Sequence, residues 1–265
     1  MKNNYYHVDT FTNQLFCGNP AAVCILTDSL SEEHMRAIAI ENQLPVTAFI
    51  KQEGELFSIR WITPESELPL CGHGTLAAAW VLFHELDSHR DELQFDSPTA
   101  GILSVRRTID GPELNFPIQS FQPVITPHTL QEGLGMDIME SYQAGDRILV
   151  LLQHESMIKA LRPNLDILKR LDYRGIVVSA PGDTVDFVSR TFYPRKITPE
   201  DAVTGASHCV LVPYWAQRLG KTHFHAYQLS ARGGELLCSL SENRVLLRGT
   251  AVTYLKGRAL FKMAD

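Results

Sequence analysis

The sequence predicts an α/β (α+β) chain built from two similar halves, and three observations predict it. Short runs rich in β-formers alternate with helical segments along all 265 residues. A block of the first half returns in the second: FSIRWITP (Phe57–Pro64) and FVSRTFYP (Phe187–Pro194) both read Phe-x-x-Arg-x-x-x-Pro, 130 residues apart. After each block a glycine opens an apolar helix, GHGTLAAAWVLFHEL and GASHCVLVPYWAQRLG, at an offset of 133. Two matched blocks in one order argue for an internal duplication. Between Asp110 and Pro127 the chain carries Pro112, Pro117, Pro123 and Pro127, the best boundary between the halves.

Taken in order, Ala21–Leu26, Thr47–Ile50 and Phe57–Ile62 read as strands because they are short and rich in β-branched and aromatic residues. Gly101–Arg106 and Glu113–Phe116 follow in the same style, then Ile148–Leu152, Gly175–Ser179 and Val185–Ser189 as buried strands. Helices are expected at Ser31–Asn42, with Ser31 as its cap, and at Gly74–Leu86, His128–Leu134, Asn164–Arg170 and Ser207–Leu219.

The composition is that of an ordinary globular protein, 45% hydrophobic and 20% charged, with a net charge of −6. No Lys/Arg-rich run is present, which argues against a nucleic-acid or anionic-membrane partner. The N-terminal MKNNYYHVDTFTNQLF has no apolar signal core, and Leu76–Phe83 is far too short to span a bilayer. Five cysteines (Cys17, Cys24, Cys71, Cys209, Cys238) form no CxxC pair, so reduced thiols in the cytoplasm are expected and a structural zinc site is not.

Two stretches carry chemistry. In LCGHGT, Gly72 and Gly74 leave backbone N–H groups accessible at a helix start, where unpaired amides and the positive dipole end attract a carboxylate or phosphate. His73 lies in that first turn as a group able to carry a proton near neutral pH. EDAVTGASH offers a matching mouth through Thr204, Gly205, Ala206 and Ser207, with Asp201 beside it as a charge partner or general base. Glycine and serine also start helices for purely structural reasons. Cys71 reads as a thiolate at a helix mouth or as a small buried hydrophobe, and Cys209 as core. CGNP presents Asn19 at a turn. A strand and turn suffice to explain QLSARGGEL, with Arg232 before Gly233 and Gly234.

Five ordered landmarks, VDTFTNQLFCGNPAAVCIL, RWITPESELPLCGHGTLAAAWVLF, SRTFYPRKITPEDAVTGASHCVLVPYW, LSARGGELL and VLLRGTAVTYLKGRAL, resemble the PhzF-like family of phenazine biosynthesis over nearly the whole chain. The resemblance implies the diaminopimelate-epimerase fold: two pseudo-symmetric lobes, each a curved sheet around a central helix, with the site between them. It implies an N-terminal lobe over 1–118, completed by a C-terminal strand at about 252–265, and a second lobe over 119–251. A homodimer, and cofactor-independent isomerisation by proton transfer at carbon on a small carboxylate-bearing metabolite, are implied as well. The type member acts on dihydro-hydroxyanthranilate. Residue by residue, His73 matches the histidine of CGHAT, Asp201 the aspartate of EDPVTGS, and Asn19 the asparagine of GNP. Gly72, Gly74, Thr75, Gly205, Ala206 and Ser207 fall where backbone groups bind substrate.

One position departs from the family. The catalytic glutamate lies in a segment like NLSETAF, which here is QLPVTAF, with Val46 at the glutamate position. Valine carries no proton. Glu65 and Glu67 are the carboxylates considered as replacements, Glu67 the weaker of the two because the family loop often has a glutamate there as well. Relatives on this fold that racemise use two cysteines. Cys71 is near the first position, and the second falls near Ala202, where no cysteine stands. Beside the isomerase reading stand a different reaction at the same site and a catalytically altered or inactive relative that binds a small acid or a protein partner.

Overall fold

The computed structural model describes residues 3–86 and 89–260. The chain divides into two compact units, one running to Asn115 and resuming at Arg248, the other Phe116–Leu247. The junctions fall a few residues before 118 and 252. Arg248 is anchored in the first unit by Asp110 (3.3 Å) and Glu113 (3.4 Å).

The first unit holds β1 (Asn3–Thr10), β2 (Asn19–Ile25), α1 (Glu32–Asn42), β3 (Thr47–Glu53), β4 (Leu56–Ile62) and the two-residue β5 (Glu67–Leu68). It continues with α2 (Gly72–Trp80), extended by a wider turn Val81–Glu85, then β6 (Glu92–Ser97), β7 (Gly101–Thr108) and β8 (Gly111–Pro117). β1 and β2 are antiparallel, β2 and β3 parallel across α1, and β3 and β4 antiparallel. β5 caps the end of β4, and β6 runs parallel to β4 after α2. Parallel strands covered on both faces need continuous apolar runs, and β2 (NPAAVCI) is buried along almost its whole length. Ser31 accepts the amide of His34 as the cap of α1. Leu76, Ala77, Ala78 and Ala79 are all fully buried, so α2 is apolar all round and packs against β1, β2 and β3.

The second unit holds β9 (Gln122–Pro123), α3 (His128–Leu134), β10 (Glu140–Ala144), β11 (Arg147–Leu151), α4 (Glu155–Ala160), α5 (Leu165–Leu168) and β12 (Gly175–Pro181). Then come β13 (Phe187–Phe192), β14 (Glu200–Asp201), α6 (Gly205–Leu219), β15 (His223–Gln228), β16 (Gly234–Ser241) and β17 (Arg244–Arg248). β18 (Ala251–Ala259) returns to the first unit and pairs antiparallel with β1. The relations of the first unit recur strand for strand: β10 antiparallel to β11, β11 parallel to β12, β12 antiparallel to β13, β14 capping β13, and β15 parallel to β13 after the helix. The duplicated blocks of sequence are thus a duplicated topology. One face of this sheet packs Ile148, Val150, Ile176, Val178, Val188 and Phe192 with Leu130, Ile158 and Leu168 of the short helices. The other receives α6, where Trp215 stacks on Phe187 and donates its indole N–H to Ser179 (3.0 Å). Pro213 cannot donate to the carbonyl of Cys209 four residues back, and the amide of Gln119 takes that place at 2.8 Å.

The repeated arginine now has a cause. Arg60 of β4 grips Glu67 of β5 with two nitrogens, Nε to Oε1 at 2.8 Å. Arg190 of β13 grips Glu200 of β14 in the same way, at 2.7 and 2.9 Å. Glu67 is therefore committed to Arg60, while Glu65 is exposed.

Both central helices start two residues before the glycine- and serine-based expectation, at Gly72 and Gly205 rather than Gly74 and Ser207. The strand expected at Val185–Ser189 lies at Phe187–Phe192, and Asn164–Arg170 shrinks to Leu165–Leu168 capped by Asn164. β1, β6, β10 and β15 to β18 have no counterpart among the strands expected from sequence, because polar residues alternate through them: HFHAYQ (β15) buries only Phe224, Ala226 and Gln228. Among the described residues no helix is long and apolar enough to cross a membrane.

The two clamps differ in burial, Arg190 being 11% exposed and Arg60 28%. Arg190 also donates to the carbonyls of Ile158 (3.2 Å) and Leu161 (2.8 Å). Truncating Arg190 to Ala is expected to cost about 3 kcal/mol, since it leaves a half-buried carboxylate and two carbonyls without their donor. Truncating Arg60 is expected to cost about 1 kcal/mol. Urea unfolding of the two variants measures the difference, and equal costs would contradict it.

Candidate active site

Each unit has its own helix mouth. In the first, Cys71 caps α2 in extended conformation without a side-chain cap bond. Thr75 closes the first turn twice, its amide donating to the Cys71 carbonyl at 3.0 Å and its hydroxyl to the same oxygen at 2.7 Å. Thr75 is buried, so its hydroxyl serves the helix. Gly72 and His73 are the half-exposed residues of this turn. The His73 ring lies beside the Cys71 thiol, Nδ1 to Sγ 3.5 Å.

Gly74 is required by crowding. A Cβ there would sit 2.8 Å from Trp61 Cδ1, 3.2 Å from Cys71 Sγ and 3.3 Å from Val46 Cγ1. Val46 is fully buried in this contact, so an apolar group fills the place where the resemblance expects a glutamate. The indole N–H of Trp61, on the ring edge turned toward Gly74, is buried with no acceptor among the described residues. Asn19 is also buried, at the start of β2, and its carbonyl accepts the Thr10 hydroxyl at 2.8 Å. Gly18 before it has φ +65°, and a Cβ there would lie 2.1 Å from the Thr10 carbonyl oxygen, so the CGNP turn admits no side chain at that position.

In the second unit Thr204 caps α6, again extended and with no side-chain cap bond. Its hydroxyl turns back to donate to Asp201 Oδ2 at 2.7 Å. Asp201 ends β14 opposite Thr191 and is half-exposed, as is Ala206. Gly205 is buried. Ser207 is fully buried, accepts the Thr191 hydroxyl at 3.0 Å and donates its amide to the Thr204 carbonyl at 3.1 Å. It belongs to the core side of the helix rather than to the mouth, because three residues past the cap the helix has already turned inward.

The duplication sets these residues in register: Leu68 with Asp201, Cys71 with Thr204, His73 with Ala206, Gly74 with Ser207 and Thr75 with His208. In this internal register Thr204 stands at the place of Cys71, a hydroxyl for a thiol. Cys209 lies beyond it, with Sγ turned to the Gly205 carbonyl at 3.7 Å. His208 repeats the role of Thr75, Nδ1 donating to the Thr204 carbonyl at 2.9 Å. Sequence reasoning passes over Gln228, which is fully buried on β15 and bonded to both Asp201 and Thr204. A buried glutamine closing a strand inside QLSARGGEL was the available signal.

Burial beside Phe187 pulls the His208 imidazole down to about 4, from an ordinary value of about 6.5. The unfolded chain then binds a proton that the folded one refuses. Stability from this group is complete above about pH 6.5 and is lost progressively as pH falls toward 4, by up to about 3 kcal/mol. Urea unfolding at pH 7 and pH 4.5 is expected to show a smaller loss in His208→Gln than in wild type. Identical losses would rule the effect out.

The description of the phenazine biosynthesis-like protein family matches residues 8–257. An uncharacterized isomerase of Pseudomonas aeruginosa is 45% identical over 258 residues, covering 97% of this chain and 98% of that protein. The crystal structure of a phenazine biosynthesis protein of the PhzF family from Enterococcus faecalis is similar at a TM-score of 0.95 and 43% identity, over 98% of this chain and all of that one. A hydroxyproline epimerase from Agrobacterium vitis shares the fold at 9% identity, with a TM-score of 0.61 over 97% of this chain and 92% of its own.

Proposed function

Because the chain belongs to the phenazine biosynthesis-like protein family, we propose that it is an isomerase that moves a proton between carbons of a small carboxylate-bearing substrate, with Asp201 and His73 as the proton-transfer groups. The observation that carries this reading is Asp201 itself: a half-exposed carboxylate at the mouth of α6, fixed by the Thr204 hydroxyl. In the reaction a C–H bond breaks, its proton passes to Asp201, and the electron pair spreads into the conjugated system of the substrate. The proton returns at another carbon, so the reaction is redox-neutral. His73 supplies a second group able to give or take a proton. Amides at the helix starts, of Gly72 and His73 on α2 and of Gly205 and Ala206 on α6, favour the substrate carboxylate and the negative charge that grows in the transition state.

A second reading has its own observation. Val46 is fully buried close to Gly74, so the first unit offers a hydrocarbon where the resemblance expects a base. A chain altered in this way would keep the carboxylate cradle and bind a small acid without the usual turnover.

Deuterium wash-in separates the two. Purified protein in D₂O is incubated with dihydro-hydroxyanthranilate and a panel of small unsaturated and amino acids, and exchange is followed by NMR. The isomerase reading expects exchange by wild type, lowered about 10²- to 10⁴-fold in Asp201→Ala and in His73→Ala. Exchange by Val46→Glu alone would establish the altered relative. Silence from both, or exchange that survives Asp201→Ala unchanged, would overturn the isomerase assignment.

A further inference from the structure

The carboxylate of Asp201 does not stand alone, and the groups behind it form a chain with a fixed direction. The side chain of Gln228, fully buried, reaches from β15 into the turn between β14 and α6. Its Oε1 accepts the Thr204 amide at 2.9 Å. Its Nε2 donates to the Asp201 backbone carbonyl at 2.8 Å and to Thr204 Oγ1 at 3.2 Å. The amide cannot be turned round: the Asp201 carbonyl only accepts and the Thr204 N–H only donates. With Nε2 donating to its oxygen, the Thr204 hydroxyl directs its own proton to Asp201 Oδ2, at 2.7 Å.

The first unit supplies an internal comparison. Thr99 Oγ1 donates to the Pro69 carbonyl at 2.7 Å, and at the matching place Ser230 Oγ donates to the Ala202 carbonyl at 2.7 Å. That brace is common to both copies. The strand register sets Ser97 opposite Gln228, since β4 pairs with β6 as β13 pairs with β15. Ser97 is too short to reach the helix start and instead accepts the amides of Thr99 and Ala100. The longer amide is therefore present only in the copy that carries Asp201.

We infer that Gln228 and Thr204 are positioning residues, which fix the Asp201 carboxylate at the α6 mouth in the orientation used for proton transfer. This rests on the reading of Asp201 as a proton-transfer group. Gln228 acts through the Asp201 carbonyl and the Thr204 hydroxyl rather than on the substrate.

Four variants test it: Thr204→Val, Thr204→Ser, Gln228→Leu and Gln228→Glu, assayed by the same deuterium exchange. Thr204→Val and Gln228→Leu are expected to lower kcat about 10- to 100-fold, the cost of a displaced catalytic group, with KM changed less than about twofold. Thr204→Ser keeps the donor and is expected to stay within about threefold of wild type. Glutamate at 228 keeps the acceptor for the Thr204 amide but donates only when protonated. Gln228→Glu should therefore gain activity relative to wild type as pH is lowered, a change that a merely space-filling role would not produce. Unchanged kcat in Thr204→Val and Gln228→Leu, or equal damage in Thr204→Ser and Thr204→Val, would overturn the inference. Crystal structures of wild type and Thr204→Val decide it without any substrate: the Asp201 carboxylate should rotate away in the variant, and an unmoved carboxylate would refute the positioning role. An inert wild type would sink the isomerase reading alone and leave this structural comparison standing.

Discussion

The bidentate grip of an arginine on a glutamate, made once in each unit, is the constraint from which both helix mouths follow. Arg60 and Arg190 sit on the long strands β4 and β13, while Glu67 and Glu200 sit on two-residue strands that have too few backbone hydrogen bonds to hold themselves in place. A planar guanidinium binding both carboxylate oxygens fixes distance and angle together. The short strand is thereby tied at the end of its sheet, and four or five residues later the chain must enter the central helix. Where that helix begins, which amides its first turn leaves outside the ladder, and where Leu68 or Asp201 stands beside it are all set by this tie. The consequence in the second unit is a largely buried guanidinium, met by two further carbonyls from the α4 region.

Much of this was legible in the residues, and the pattern of what was not has physical reasons. The duplication announced itself through Phe-x-x-Arg-x-x-x-Pro because each of those residues has its own fixed place: the phenylalanine in the core, the arginine in the clamp, the proline in the loop beyond. β2, β11 and β12 were readable because strands buried on both faces must be continuously apolar. β15 and β1 were not, since HFHAYQ and NNYYHVDT mix polar residues with the residues they bury. The helix starts were misplaced by two residues for a related reason. Neither Cys71 nor Thr204 caps through its side chain; the first turns are closed from inside by Thr75 and His208, and closure of that kind has no sequence signature at the cap.

Sequence spacing marked both helix starts but could not say which atoms face outward there. Helix geometry decides that. Within GHGT the half-exposed pair is Gly72 and His73, and within GASH it is Ala206, while Thr75 and Ser207 turn their hydroxyls into the protein. Thr204 looked like one more small polar residue at a helix start, and only the fold shows that it works backward, onto Asp201. Gln228 could not be connected with Asp201 at all from the sequence, because 27 residues separate them and the contact exists only once β15 lies parallel to β13.

The two copies share the strand relations that place the helix starts and differ in the residues around them. Clamp, brace and first-turn closure are kept in both units, in two cases at nearly the same distances. The replaced positions are Leu68 for Asp201, Ser97 for Gln228, Cys71 for Thr204, His73 for Ala206, and Trp61 with Gly74 for Thr191 with Ser207. The last pair shows how such exchanges stay compatible with packing. A large indole over a glycine fills the space that, in the other copy, two small side chains fill with a hydrogen bond. Val46 fits the same logic. It is fully buried close to the same glycine, so a carboxylate at that position would have to be desolvated. A carboxylate there would carry that desolvation cost, while in the second unit the Asp201 carboxylate accepts from Thr204, which Gln228 holds in turn.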